Sequence, residues 1–179
     1  MKSDYYKKEN EFIKSLYKDL NSNNYYPIKR SFGKTLENCE ISSLIAYTKV
    51  SKNNHIYNTL ERNSEFLVAG LFYNIERPSY EYIEKQKIPF ELLMNKLYNS
   101  NTTNSTKKNL EKLINLEQDN MEYFCNIFRI TAEKVLPFLQ KNQTVDFSKL
   151  LYDIKHWNNR TVRMRWATAL IDNKPQEEN

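Results

Sequence analysis

The side chains that could carry covalent or acid–base chemistry are few in this chain, and they stand apart. The two histidines are His55, in a polar stretch, and His156, beside Trp157 near the end of a helical pattern. They are not placed to share a metal ion, and no acidic cluster has the spacing of a metal-dependent nuclease site. Asp146 reads as a helix cap and Asp153 as a surface acid. Cys39 and Cys125 form no metal-ligand pair and no disulfide framework. Cys125 lies in an apolar helical run and reads as a small buried hydrophobe. Gly33 and Gly70 are the only glycines, and neither has the pattern of a phosphate-binding loop. The reading is a protein without catalytic activity, cofactor or metal.

Cations are what remain. The chain has 27 Lys and Arg against 22 Asp and Glu, a net charge of +5. Lys29, Arg30 and Lys34 lie in YYPIKRSFGK, a linker-like stretch with aromatics close by. Basic groups interleaved with aromatics suit a sugar-phosphate chain with stacked bases, although aromatics turned inward would give the same pattern. Lys107 and Lys108 fall in the expected first turn of a helix, with Lys112 on its polar side. A cation there works against the helix dipole, so a phosphate partner would give it a purpose. Arg160, Arg163 and Lys155 fall on the expected outer side of the C-terminal helices. Together these groups suggest a shallow basic strip on a helical body.

The elements that must position them read as helices. The stretch 145–170 holds both tryptophans, Trp157 and Trp166. Phe147, Leu150, Leu151 and Ile154 recur at helical spacing, as do Val162, Trp166 and Leu170. Asn158 and Asn159 fall between the two patterns, where a left-handed corner would suit asparagine. The result is a Trp-containing helical hairpin with an apolar inner face. Upstream, helices are expected over 4–20, 41–50 and 56–75, the last apolar nearly all round and therefore central. On the short helix 41–50, Ile41, Leu44, Ile45 and Val50 supply the apolar side. Ala69 and Gly70 would let a neighbouring helix approach. Residues 76–88 read as an exposed loop. Further helices begin after Pro89, after Asn104 or Ser105 as caps, and after Asp119, with Pro137 ending the last of them or kinking its last turn. With two glycines and five prolines, turn-rich sheets are disfavoured. The expected fold class is all-α: one domain over 179 residues, a bundle of seven or eight helices with no strand and with frayed termini at 1–3 and 172–179. The longest apolar run, 66–73, is too short to span a bilayer, so a cytoplasmic protein without membrane contact is expected.

The order of these features resembles the CasB family, the small subunit of the type I-E CRISPR Cascade complex. Ile28-Lys29-Arg30 resembles that family's early apolar–basic–basic element, and 66–72 its central apolar helix. The stretch 107–114 resembles its basic-pair-then-apolar helix. The most distinctive part is Val145-Asp146-Phe147, Leu150-Leu151, Asp153-Ile154 and Trp157, followed by Val162 and Trp166-Ala167. The resemblance spans about 10–171. Lysines stand at 107 and 108 where the family often has arginines, a change that a phosphate contact tolerates better than a bidentate base contact. The resemblance implies an all-helical, non-catalytic subunit. Its implied partners are the other Cascade subunits and crRNA, the target and displaced DNA strands, and a second copy of itself. It would stabilise the R-loop through backbone contacts at Lys29, Arg30, Lys107 and Lys108, with Lys34, Lys112, Arg160 and Arg163 in support. The competing reading is a helical protein–protein adaptor with no nucleic-acid role.

Overall fold

The structure, a computed structural model, describes residues 6–22, 25–51, 59–76 and 85–172. His55, the expected helix starts at 4 and 56, residues 77–84 of the expected loop at 76–88, and the expected frayed ends at 1–3 and 172–179, apart from Asp172, lie outside the described residues. Nine α-helices are present among the described residues: α1 (Lys7–Asp19), α2 (Tyr25–Arg30), α3 (Ile41–Val50), α4 (Thr59–Ile75), α5 (Phe90–Asn99), α6 (Asn104–Asn115), α7 (Met121–Val135), α8 (Phe147–Lys155) and α9 (Arg160–Ile171). The all-α class therefore holds, with more helices than the seven or eight expected.

The additional helix is α2, in the stretch that reads as a linker. Pro27 sits at its third position, inside the first turn, where a missing N–H leaves no helical bond unmade. Two strands also depart from expectation: β1 (Gln86–Ile88) and β2 (Gln143–Val145) pair in parallel, with Ile88 opposite Val145. Each has three residues, too few to show alternation in the sequence. As expected, α7 stops at Val135, and Pro137 sits in a 3-10 turn, Leu136–Phe138.

Helix α4 is the centre. Every residue from Asn63 to Tyr73 is buried, and α1, α2, α7 and α8 pack around it. Phe72 meets Tyr17 and Phe147 edge-on, at 4.7 and 5.1 Å between ring centroids. The C-terminal hairpin closes the other end. Trp157 and Trp166 pack edge to face at 4.8 Å, and Phe124 and Phe90 extend the cluster. Both buried indoles keep a hydrogen-bond acceptor. Trp157 Nε1 donates to the Leu116 carbonyl and Trp166 Nε1 to Asp153 Oδ2, each at 2.9 Å.

Several side chains face differently from the sequence reading. Asp153 is fully buried rather than a surface acid, and it accepts from Lys149, Arg165 and Trp166. Lys149 also pairs with Glu91 on α5. Lys155 is not on the outside; it pairs with Glu61 and Glu65 of α4 at 3.0 and 3.1 Å and with Glu9 of α1 at 3.6 Å. Helix α3 is turned: Ser43, Ala46, Tyr47 and Val50 are buried, while Ile41 and Ile45 are 76% and 50% exposed. Ser43 is held inside by donating to the Pro27 carbonyl and by a 2.8 Å bond with Ser31. The Asn158-Asn159 corner uses no left-handed residue. Asn159 Oδ1 caps α9 by accepting from Thr161 N, while Asn158 Oδ1 accepts from Gln118 N. Asp146 caps α8 as expected, accepting from Lys149 N.

Candidate nucleic-acid interface

Both glycines of the chain build one groove. At Gly33, just after α2, φ is +89°, a conformation that side chains make costly. A Cβ there would come within 2.5 Å of Arg129 Cδ, so the stem of Arg129, from α7, lies across the turn only because residue 33 is bare. At Gly70 a Cβ would stand 3.1 Å from Phe32 Cα. The close neighbour at Gly70 is thus the turn that follows α2, not a facing helix as expected. This seats Phe32 against α4 and fixes the turn that carries Lys34.

The groove between this turn and α7 has a volume of about 770 Å³. Lys29, Arg30 and Lys34 line it from the α2 side. Asn120, Tyr123, Asn126 and Arg129 line it from α7, and Asn74 from the end of α4. Four cations face two carboxylates, Glu122 and Glu133, so the groove is net positive. Arg129 Nη1 donates to Glu133 at 2.6 Å and Nη2 to Asn126 Oδ1 at 3.2 Å. Arg30 meets Glu40 at 3.5 Å on the surface, where such a pair contributes little.

The other expected contacts are distributed differently. Thr103, not Asn104 or Ser105, caps α6, accepting from Thr106 N at 3.3 Å. Lys107 and Lys108 are then the fourth and fifth helical residues, and Lys107 N already donates to the Thr103 carbonyl. They are therefore not at the open end of the helix, and the helix dipole supplies no reason for them. Lys107 Nζ lies 5.0 Å from the Tyr98 ring centroid on α5, and Lys108 is exposed. Lys112 points the other way, with Nζ 4.9 Å from the ring centroid of Tyr123. It therefore borders the groove. Arg160 is exposed at the start of α9, and Arg163 pairs with Glu117 at 3.5 Å; neither lines the groove.

Tyr123, Asn126 and Arg129 of α7, with Asn120 at its cap and Asn74 of α4, are groove residues that the sequence reading misses. A signal exists for Asn126 and Arg129. Glu122, Asn126, Arg129 and Glu133 recur at helical spacing on the side of α7 away from Phe124 and Phe128. That polar stripe is overshadowed by the apolar one. Among the described residues no group of three or more His, Cys, Asp or Glu could hold a metal ion, and no helix is long and apolar enough to cross a membrane. Cys125 is buried, and burial pushes its thiol up to about 12.

The fold and this groove describe an all-α protein with a basic, aromatic-edged cleft. No protein-family model matches the chain, and no curated protein matches it significantly. Solved structures do. The crystal structure of CasB from M. ruber superposes with a TM-score of 0.64 at 18% identity, over 90% of this chain and 91% of that one. A CRISPR-associated protein of the Cse2 family from Thermus thermophilus superposes with a TM-score of 0.61 at 17% identity, over 90% and 96%. The resemblance to the CasB family thus holds for the fold across nearly the whole chain.

Proposed function

We propose that this chain is a non-catalytic small subunit of a type I-E CRISPR RNA-guided surveillance complex, Cascade. In this reading it holds the backbone of the target or displaced DNA strand and stabilises the R-loop. The observation that carries the reading is the groove at Gly33, where Lys29, Arg30, Lys34 and Arg129 meet on a fold shared with two CRISPR-associated proteins. Exchange of a DNA duplex for an RNA–DNA hybrid is close to energetic balance, so a few phosphate contacts are enough to shift it. No base reading is required, because the guide carries the sequence information. The implied partners are the other Cascade subunits and crRNA, both DNA strands and a second copy of this chain, and the setting is cytoplasmic.

The test is the salt dependence of single-strand binding. Neutralising Lys29 and Arg30 together should make the slope of log K against log salt shallower by roughly 0.7 for each phosphate left without its cation. Neutralising Lys107 and Lys108 measures the second cluster separately, and Arg160 with Arg163 the third. Wild-type binding with a slope that none of these variants changes would reject the assignments.

A helical adaptor without a nucleic-acid role is favoured by one observation. Ile41 and Ile45 lie one turn apart on the outside of α3, and both are exposed. Under that reading the wild-type chain binds neither single- nor double-stranded DNA at any salt concentration.

A further inference from the structure

The α2–α7 groove holds more than cations. Tyr123 sits in the first turn of α7, 36% exposed, with its ring on the groove. Its position is fixed from two sides. Its backbone N donates to Asn120 Oδ1 at 2.9 Å, and Lys112 Nζ lies 4.9 Å from its ring centroid. A cation so placed covers one face of the ring, so a flat partner would take the other. Beside it are two amides whose oxygens are engaged and whose nitrogens are not. Asn120 Oδ1 accepts from Tyr123 N, and Asn126 Oδ1 accepts from Arg129 Nη2. Neither Nδ2 has a partner among the described residues.

A phosphate needs only the cations. An aromatic face flanked by free N–H donors suits a base whose hydrogen-bonding edge is open. In a duplex that edge is already paired and its faces are covered by neighbours, so neither feature could be used. The volume of about 770 Å³ is in the range of roughly 300–1,000 Å³ that takes small organic ligands, enough for a base with its phosphate.

We propose that this groove is a single-strand pocket in which an unpaired base stacks on Tyr123, its edge meets the Asn120 and Asn126 amides, and its phosphate lies against Lys29, Lys34 and Arg129. Tyr123 is then the residue that makes the site prefer single strands over duplex. The inference rests on the nucleic-acid reading above and adds the form of the ligand.

The experiment measures anisotropy of three labelled probes on the full chain: oligothymidine, oligouridine and a blunt-ended DNA duplex without a loop. Tyr123→Ala should weaken single-strand binding about five- to a hundred-fold while leaving duplex binding unchanged. Tyr123→Phe should keep wild-type affinity, and Tyr123→Leu, which keeps bulk without a π-face, should behave like the alanine variant. A single strand carrying 2-aminopurine should be quenched by wild type and Tyr123→Phe but not by Tyr123→Leu, which reports stacking rather than stability. A loss on either the thymidine or the uridine probe supports the pocket, and the comparison shows which backbone it takes. Tyr123→Leu with wild-type affinity and quenching overturns the pocket while salt-dependent binding by the wild type leaves the nucleic-acid reading standing. Failure of the wild type to bind any probe removes both.

Discussion

Arg129 reaches the groove because residue 33 has no side chain. Gly33→Ala would place a methyl group within 2.5 Å of Arg129 Cδ at a backbone position with φ of +89°. The left-handed conformation alone costs a substituted residue about 1–2 kcal/mol. Gly33→Ala should therefore lower the unfolding free energy measured in urea by about that amount and weaken single-strand binding as Arg129 moves. A variant with wild-type stability and wild-type affinity would show that the turn adapts and that Arg129 is not tied to it. The glycine was visible in the sequence, but its purpose was not. Nothing near residue 33 announces an arginine that arrives from α7, and a helix face is read one element at a time.

Among the elements, α8 joins the C-terminal hairpin to the rest through charge as well as apolar contact. Asp153 is enclosed by Lys149 on its own helix and by Arg165 and Trp166 on α9, while Lys149 continues to Glu91 on α5. Asp153 itself is fully buried, and although Arg165 is 41% exposed and Lys149 keeps Glu91, each bond lost to this charged acceptor costs roughly 1.5–3 kcal/mol. Asp153→Asn should therefore destabilise the fold several times more than Asp146→Ala, which removes only the cap of α8 at about 1 kcal/mol. Denaturant unfolding measures both. If the two variants lose the same stability, the network does not tie α8 to α9. The apolar seam of this hairpin was legible, because Leu150, Leu151, Ile154, Val162, Trp166 and Leu170 follow helical spacing. The charge seam was not, because an aspartate or lysine on a short helix reads as surface by default. Helix α3 illustrates the opposite error. Its two isoleucines suggested the inner face, but Ser43 and Tyr47 were drawn inward by hydrogen bonds to Ser31, Pro27 and Glu65.

At the scale of the molecule, the buried titratable groups make the fold sensitive to alkali. Burial alone would pull the Lys155 ammonium down, but Glu65 and Glu61 outweigh it and hold its pKa above the ordinary lysine value. Burial, and then the carboxylates of Glu65 and Asp19, push the phenols of Tyr47 and Tyr73 above the ordinary tyrosine range. Burial also raises Cys125 to about 12. In each case the folded state holds the proton more tightly than the unfolded chain does. The stabilisation is complete below the unfolded values, about 8.5 for cysteine and about 10 for tyrosine and lysine, and is lost as pH rises through the folded ones. Denaturation midpoints should therefore hold up to about pH 8.5 and fall steadily above about pH 10. A midpoint that stays flat through that alkaline range would contradict this reading. The sequence by itself determined the helical class, the central burial of α4 and the tryptophan hairpin, because the period of apolar residues is a local property of the chain. It also marked Lys29, Arg30 and Lys34 as one basic group, because they are neighbours. Only the tertiary structure decided that Arg129 and Tyr123 join them, that Lys107 faces α5, and that Lys155 and Asp153 are inside. Those outcomes depend on helices distant in sequence coming into contact, and no local pattern records which faces will meet.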